Sequence, residues 1–218
     1  MNVFVVAAHA DDEVLGPGAT LHRLAGAGAD VRVLIVAEAI ATRHAGSTLA
    51  QVHAAVGRAA ELLGVRQVRF GGLGGDGRLL DQHPSRDLVA LIDGFLAQAP
   101  VDLLLTHHAG DVHVDHRAVA HACAYAARSA GAHPARRRLA FEVMSSTEQG
   151  GGFAPNSFAR IRDADLAAKA RALAVYADEL RDFPHPRSLD AVTALARFRG
   201  VHLGVPLAEA FVVEREVW

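Results

Sequence analysis

Cys123 is the only cysteine in this chain. Intrachain disulfides are therefore excluded, and a thiolate zinc site has too few sulfurs to form. Long apolar runs are also missing. No window reaches the roughly 18 uninterrupted apolar residues that a membrane span needs. There is no basic tract either: 22 Lys and Arg stand against 24 Asp and Glu. That balance removes the electrostatic footprint of a nucleic-acid or anionic-membrane binder. The first apolar run has no basic residues before it and stops at an acidic cluster by Asp11, so it reads as a strand and not as a secretory signal. Aromatics make up only 6%, which reads as compositional bias. These absences lead to the expectation of a cytoplasmic protein whose partner is a small molecule. Nucleic acid and membrane are excluded as partners, and a homo-oligomer is left open.

What is present is apolar and periodic. Hydrophobic residues make up 51% of 218, enough for one large α/β domain. Val3–Val6 is a continuous apolar run of the kind buried in a parallel sheet, Val31–Val36 and Val101–Leu105 are apolar apart from Arg32 and Asp102, and Gln67–Phe70 and Leu139–Met144 are further candidates. Between them the pattern predicts helices over Pro17–Ala27, Leu49–Leu63, Ser85–Ala97 and from about His116 to Ala130. Gly71–Gly77 and Ser145–Ser157 read as loops. A long helix from Asp163 or Asp165 carries the stripe Leu166, Leu173, Tyr176, Leu180 and Phe183, and breaks at Pro184-His185-Pro186. A last helix, Ser188–Arg199, leads to a closing segment, Ala208–Val213. Strands alternating with helices argue for a Rossmann-like, mainly parallel sheet covered on both faces. The expectation is a single domain, 1–218, with a core over 1–144 and a C-terminal part over 145–218 that completes the substrate pocket.

Two polar clusters follow predicted strands. The first is His9-Ala10-Asp11-Asp12-Glu13. His9 and Asp12 are three apart across a turn, so one small cation can take both. The bland reading makes Asp11, Asp12 and Glu13 a cap on the next helix. The second cluster is Thr106-His107-His108-Ala109-Gly110-Asp111-Val112-His113-Val114-Asp115-His116. In a doubly wound sheet two such strand ends meet at the switch point. His9, Asp12 and His116 would then supply two imidazoles and one carboxylate, a set that suits catalytic zinc with an open position. Fe(II) or another divalent first-row metal fits the same donors.

These residues resemble a known family. His9-Ala10-Asp11-Asp12-Glu13 is similar to the His-Pro-Asp-Asp-Glu signature of the LmbE/PIG-L zinc-dependent N-acetyl-sugar deacetylases, and His113-Val114-Asp115-His116 to their His-Pro-Asp-His signature. Ala59-Ala60-Glu61-Leu62-Leu63-Gly64-Val65 looks like the family's helix end, and Pro184-His185-Pro186-Arg187-Ser188 and Ala208-Glu209-Ala210-Phe211 look like one bacterial branch. The resemblance implies an LmbE-like fold and removal of acetyl from an amino sugar, its glycoside or a nucleotide-linked sugar. It implies His9, Asp12 and His116 as metal ligands and Asp11 as general base. Asp115 becomes an orienting partner for His116 or His113, and His113 a stabiliser of the oxyanion. Ala10 and Val114 replace the usual prolines. Val52 and Ala55 replace the usual Arg-x-x-Glu pair, which puts family-typical substrate contacts on that helix in doubt.

Arg43, Asp76, Asn156, His185 and Arg187 are the candidates for binding sugar hydroxyls or an anionic aglycone. Glu13 divides between a first-turn carboxylate and a support beneath the metal loop. Other readings are a non-sugar or antibiotic-precursor amide as substrate, or a metal-bearing sugar-binding protein without catalysis. The intact Asp11 argues against the last, because binding needs no base. A nucleotide-binding Rossmann protein is weaker still: Gly16-Pro17-Gly18 is not the required glycine pattern, and three carboxylates beside it would repel a pyrophosphate.

Overall fold

A computed structural model describes residues 1–38 and 48–218. Its strands are β1 (Asn2–Ala7), β2 (Asp30–Ala37), β3 (Gln67–Leu73), β4 (Leu103–His107), β5 (Arg137–Phe141), β6 (Ser157–Arg160) and β7 (Ala208–Glu216). They form one sheet in the order β3-β2-β1-β4-β5-β7-β6. The first five are parallel, whereas β7 runs antiparallel to both β5 and β6. The helices are α1 (Asp12–Leu15), α2 (Gly18–Gly26), α3 (Leu49–Leu63), α4 (Ser85–Leu96), α5 (Val114–Ala126), α6 (Asp163–Ala174) and α7 (Leu189–Val201).

The continuous apolar runs form the middle of the sheet because both faces are covered. Along β1, Val3, Val5 and Ala7 enter the core under α2, α3 and α6. Phe4, Val6 and the following Ala8 enter the core under α4 and α5, where Phe4 meets the Phe95 ring edge-on at 5.2 Å. Two helix ends show why the elements stop where they do. Thr48 and Gln51 form a reciprocal capping box at the start of α3, and Gly64, at φ 72°, ends it.

Several boundaries differ from the sequence expectation. The expected helix over Pro17–Ala27 is α2, and the acidic cluster forms a separate short helix, α1. Strand β3 continues through Gly71 and Gly72 to Leu73, where a loop was expected. Gly71 makes this feasible: a Cβ there would lie 2.6 Å from the Val36 carbonyl of β2. The long C-terminal helix stops at Ala174, and Tyr176, Leu180 and Phe183 lie beyond it. Strand β6 lies at the end of the stretch read as a polar loop.

Lys169, the only lysine in the chain, is buried on α6. Its ammonium donates to the carbonyls of Leu15 and Gly16, both at 2.8 Å, and to Glu209 Oε1 at 2.6 Å. Glu209, on β7, also accepts from the Ala19 and Thr20 amides in the first turn of α2. The last strand is thereby bolted to the chain segment that follows α1.

Candidate metal centre

Strands β1 and β4 are parallel neighbours, with Val3 opposite Leu103 and Val5 opposite Leu105. The chain runs on to β2 and β3 on one side of β1, and to β4 and β5 on the other. The carboxyl ends of β1 and β4 therefore flank the topological switch point. The two polar clusters meet there.

Asp12, at the start of α1, is fully buried. Its Oδ2 accepts the His9 amide at 2.9 Å and faces His9 Nδ1 at 3.2 Å, His116 Nε2 at 3.3 Å and His107 Nε2 at 3.5 Å. Its Oδ1 and His116 Nε2 have no hydrogen-bond partner among the described residues. The donor atoms of His9, Asp12 and His116 lie within 4.8 Å of one another. Two buried atoms lacking partners, in a set of two imidazoles and a carboxylate, fit a first-row divalent cation with open coordination positions. His9, His113 and Asp115 form a second close set that shares His9. There, His9 Nε2 lies 2.8 Å from Asp115 Oδ2. Read as an imidazole N–H donating to a carboxylate, this contact leaves Nδ1 free to face the first set.

The local electrostatics follow from burial and partners. Burial raises the Asp12 pKa, but the charge on His116 and hydrogen bonds from His116 and His9 outweigh it and hold the carboxyl well below its usual range. Burial lowers the His116 pKa, but the Asp12 and Asp111 carboxylates push it up to about 9. A metal ion arriving at His116 must displace that proton. Burial and the neighbouring His116 charge depress His107 far below the usual imidazole value. His107 Nε2 accepts the Ala8 amide at 2.8 Å, and the neutral ring stacks on His116 at 3.9 Å. It forms a fixed plate behind a metal-ligand candidate.

Two supports were not assigned in the sequence. His107 belongs to β4, which runs two residues further than the apolar run suggests. Asp111 is the carboxylate on His116 Nδ1, at 3.0 Å. Asp111 Oδ2 also accepts the hydroxyls of Ser146 at 3.0 Å and Thr147 at 2.6 Å, and Oδ1 accepts the His113 amide at 2.8 Å. Asp115 lies against His9, accepts the Leu80 amide and shares a close donor set with His9 and His113. Asp111→Asn is expected to weaken metal affinity by about 10–100-fold, measured by competition with a chelator. Unchanged affinity would mean that Ser146 and Thr147 hold His116 without the charge.

Asp11 follows a different logic. It takes φ 103°, uncommon for any residue but glycine. Its amide donates to Glu13 Oε2 at 3.0 Å, and Tyr176 Oη donates to Glu13 Oε1 at 2.6 Å. Burial pushes the Glu13 carboxyl up to about 8. Glu13 is thus the support beneath the metal loop. The Asp11 carboxylate accepts from Arg187 Nη1 at 3.0 Å.

The other substrate-contact candidates fare unevenly. Arg187 reaches the site. Arg43 lies outside the described residues. Asp76 is exposed and pairs with Arg78 at 2.6 Å. The Asn156 carbonyl oxygen accepts the Val213 amide and so serves the β6–β7 edge. His185 is exposed and accepts the Arg187 amide within its own turn. Asp76, Asn156 and His185 are thus engaged in local contacts.

A family model described as PIG-L, GlcNAc-PI de-N-acetylase, matches residues 4–127, which contain the whole metal cluster. No curated protein sequence matches the chain. Among solved structures, a conserved protein from Thermus thermophilus superposes with a TM-score of 0.77 at 24% identity, covering 99% of this chain and 96% of that one. N,N'-diacetylchitobiose deacetylase from Pyrococcus horikoshii gives 0.78 at 18% identity, over 97% of this chain and 83% of that one. The 4-carboxy-2-hydroxymuconate hydratase of Pseudomonas putida gives 0.75 at 20%, over 100% and 97%. At these identities the likeness is one of fold.

Proposed function

The chain belongs to the PIG-L family of GlcNAc-PI de-N-acetylases, and from that premise we propose that it is a zinc-dependent hydrolase releasing acetate from an N-acetylated amino sugar, its glycoside or a nucleotide-linked sugar. The observation that carries this reading is the convergence of His9, Asp12 and His116 at one buried point, with Asp11 next in the chain. Family membership is needed as well, because a hydratase shares the fold.

His9, Asp12 and His116 would hold the ion, and a ferrous ion suits the same donors. When bound, such an ion supplies Lewis-acid polarisation and an acidified water. Asp11 takes the proton of the attacking water and returns it to the leaving amine nitrogen, so that amide and water become acetate and free amine. His113 Nδ1 accepts the Asp115 amide at 3.2 Å, which places the proton of the neutral ring on Nε2. That N–H donates to the oxyanion as the acetyl carbonyl becomes tetrahedral, a contribution of about 10²–10³ in rate. Asp115 keeps the proton of His9 on Nε2 and so turns Nδ1 towards Asp12.

The test is acetate release from a panel of N-acetyl amino sugars and nucleotide sugars, using metal-stripped and zinc-reconstituted protein side by side. N,N'-diacetylchitobiose is the first member, as the named substrate of a structural neighbour. Zinc-dependent acetate is the expected result. Metal binding without acetate from any member would replace the reading with a different acyl group or a binding role.

A further inference from the structure

Among the described residues only two besides glycine have positive φ: Asp11 at 103° and Ser145 at 88°. Such conformations are strained for a residue with a side chain and persist only where the surroundings over-determine them. The two residues belong to different loops, one after β1 and one after β5, and a single side chain reaches both. Arg187 donates through Nη1 to Asp11 Oδ2 at 3.0 Å and through Nε to Ser145 Oγ at 3.1 Å. Nη1 also donates to Glu179 Oε2 at 2.7 Å. The Arg187 side chain is 15% exposed. Its backbone is fixed in turn: its amide donates to His185 Nδ1, and the next residue, Ser188, caps α7 through the Ala191 amide.

Each loop carries one half of the chemistry. The first ends in Asp11. In the second, Ser146 and Thr147 follow Ser145 directly, and their hydroxyls hold Asp111, which holds His116 Nδ1. A planar guanidinium with donors in several fixed directions suits two acceptors on different loops; an ammonium does not reproduce that fork.

We propose that Arg187 is a positioning residue. It clamps the Asp11 loop to the loop that supports His116, and so fixes the distance between the general base and the metal site. It does not serve primarily as a substrate anion contact. The kinetic part of this inference rests on the deacetylase reading, whereas the structural part does not.

The experiment compares parent protein with Arg187→Ala and Arg187→Lys. Amide hydrogen exchange without added metal is expected to quicken about tenfold in both segments, 8–16 and 143–149, and to leave β1 and β4 unchanged. Zinc affinity, read by chelator competition, is expected to persist in both variants. With a panel substrate, kcat is expected to fall about 10²-fold while KM changes little, as a small misplacement of a base allows. Methylguanidinium is expected to restore part of kcat in Arg187→Ala, and lysine is expected not to substitute. Loosening of neither loop, or of one only, would overturn the clamp. So would a raised KM with unchanged kcat, which would mark Arg187 as a substrate contact. If both loops loosen but the parent releases no acetate, the clamp stands and the deacetylase reading falls. Should Arg187→Ala not fold, Arg187→Lys carries the same comparison.

Discussion

Asparagine at position 11 is expected to leave the metal site filled and to cut acetate release by about 10²–10⁴-fold, the share typical of a positioned general base. The substitution isolates the carboxylate because little else changes. Asparagine has nearly the same shape, and after glycine it is among the residues most tolerant of positive φ. The bond that fixes the loop, from the position-11 amide to Glu13, leaves the position-11 side chain out. An amide oxygen can still accept from Arg187. The candidate metal donors His9, Asp12 and His116 are untouched. Zinc content and turnover measured on the same preparation give the result. Asp11→Asn protein that hydrolyses as fast as the parent would remove Asp11 from the mechanism.

The second large effect is on stability. Lys169→Met is expected to cost about 3–5 kcal/mol, the usual result of removing one partner of a buried ion pair. Methionine fills a similar volume, so packing changes little. What is lost is the counter-charge of Glu209 and the donors to Leu15 and Gly16, whose carbonyls are left inside without a partner. For a chain of this size the melting temperature should fall by about 6–20 °C. The urea midpoint should drop with the slope unchanged. A midpoint equal to that of the parent would show that water reaches the site and replaces the ammonium.

The fold was legible where apolar residues run with little or no interruption. Strands β1, β2 and β4 are buried on both faces, and their sequences leave no other reading. The direction of β7 was not legible, because a short strand-forming segment such as Ala208–Val213 looks the same pointing either way. The end of α6 was hidden for a related reason: Tyr176 and Leu180 keep the helical spacing although the chain has left the helix. At the site, the convergence of His9, Asp12 and His116 was legible because His9 and Asp12 are local, and His113 and His116 form a second short motif. His107 was missed because the strand extends past its apolar run. Asp111 was missed because nothing local separates it from the other polar groups of its loop. Arg187 was identified as a site residue, but its partner Asp11 is 176 positions away, and no periodicity encodes such a pairing. Asp76, Asn156 and His185 make local contacts that the sequence does not announce. Polar loop residues are often consumed by their own turns and edges.

The bolt between β7 and α1 also bears on synthesis. A ribosome adds about 5–20 residues per second. Glu209 therefore leaves it some 10–40 seconds after His9, at that same rate. During that interval β1 to β5 can pair, but the segment that carries Asp12 lacks its distal anchor, and Lys169 has no counter-charge. A nascent chain that stalls before residue 208 would hold all three candidate metal donors and still lack the strand that braces them. Completion of the polypeptide, rather than capture of the ion, is then the step that commits the molecule to a working centre.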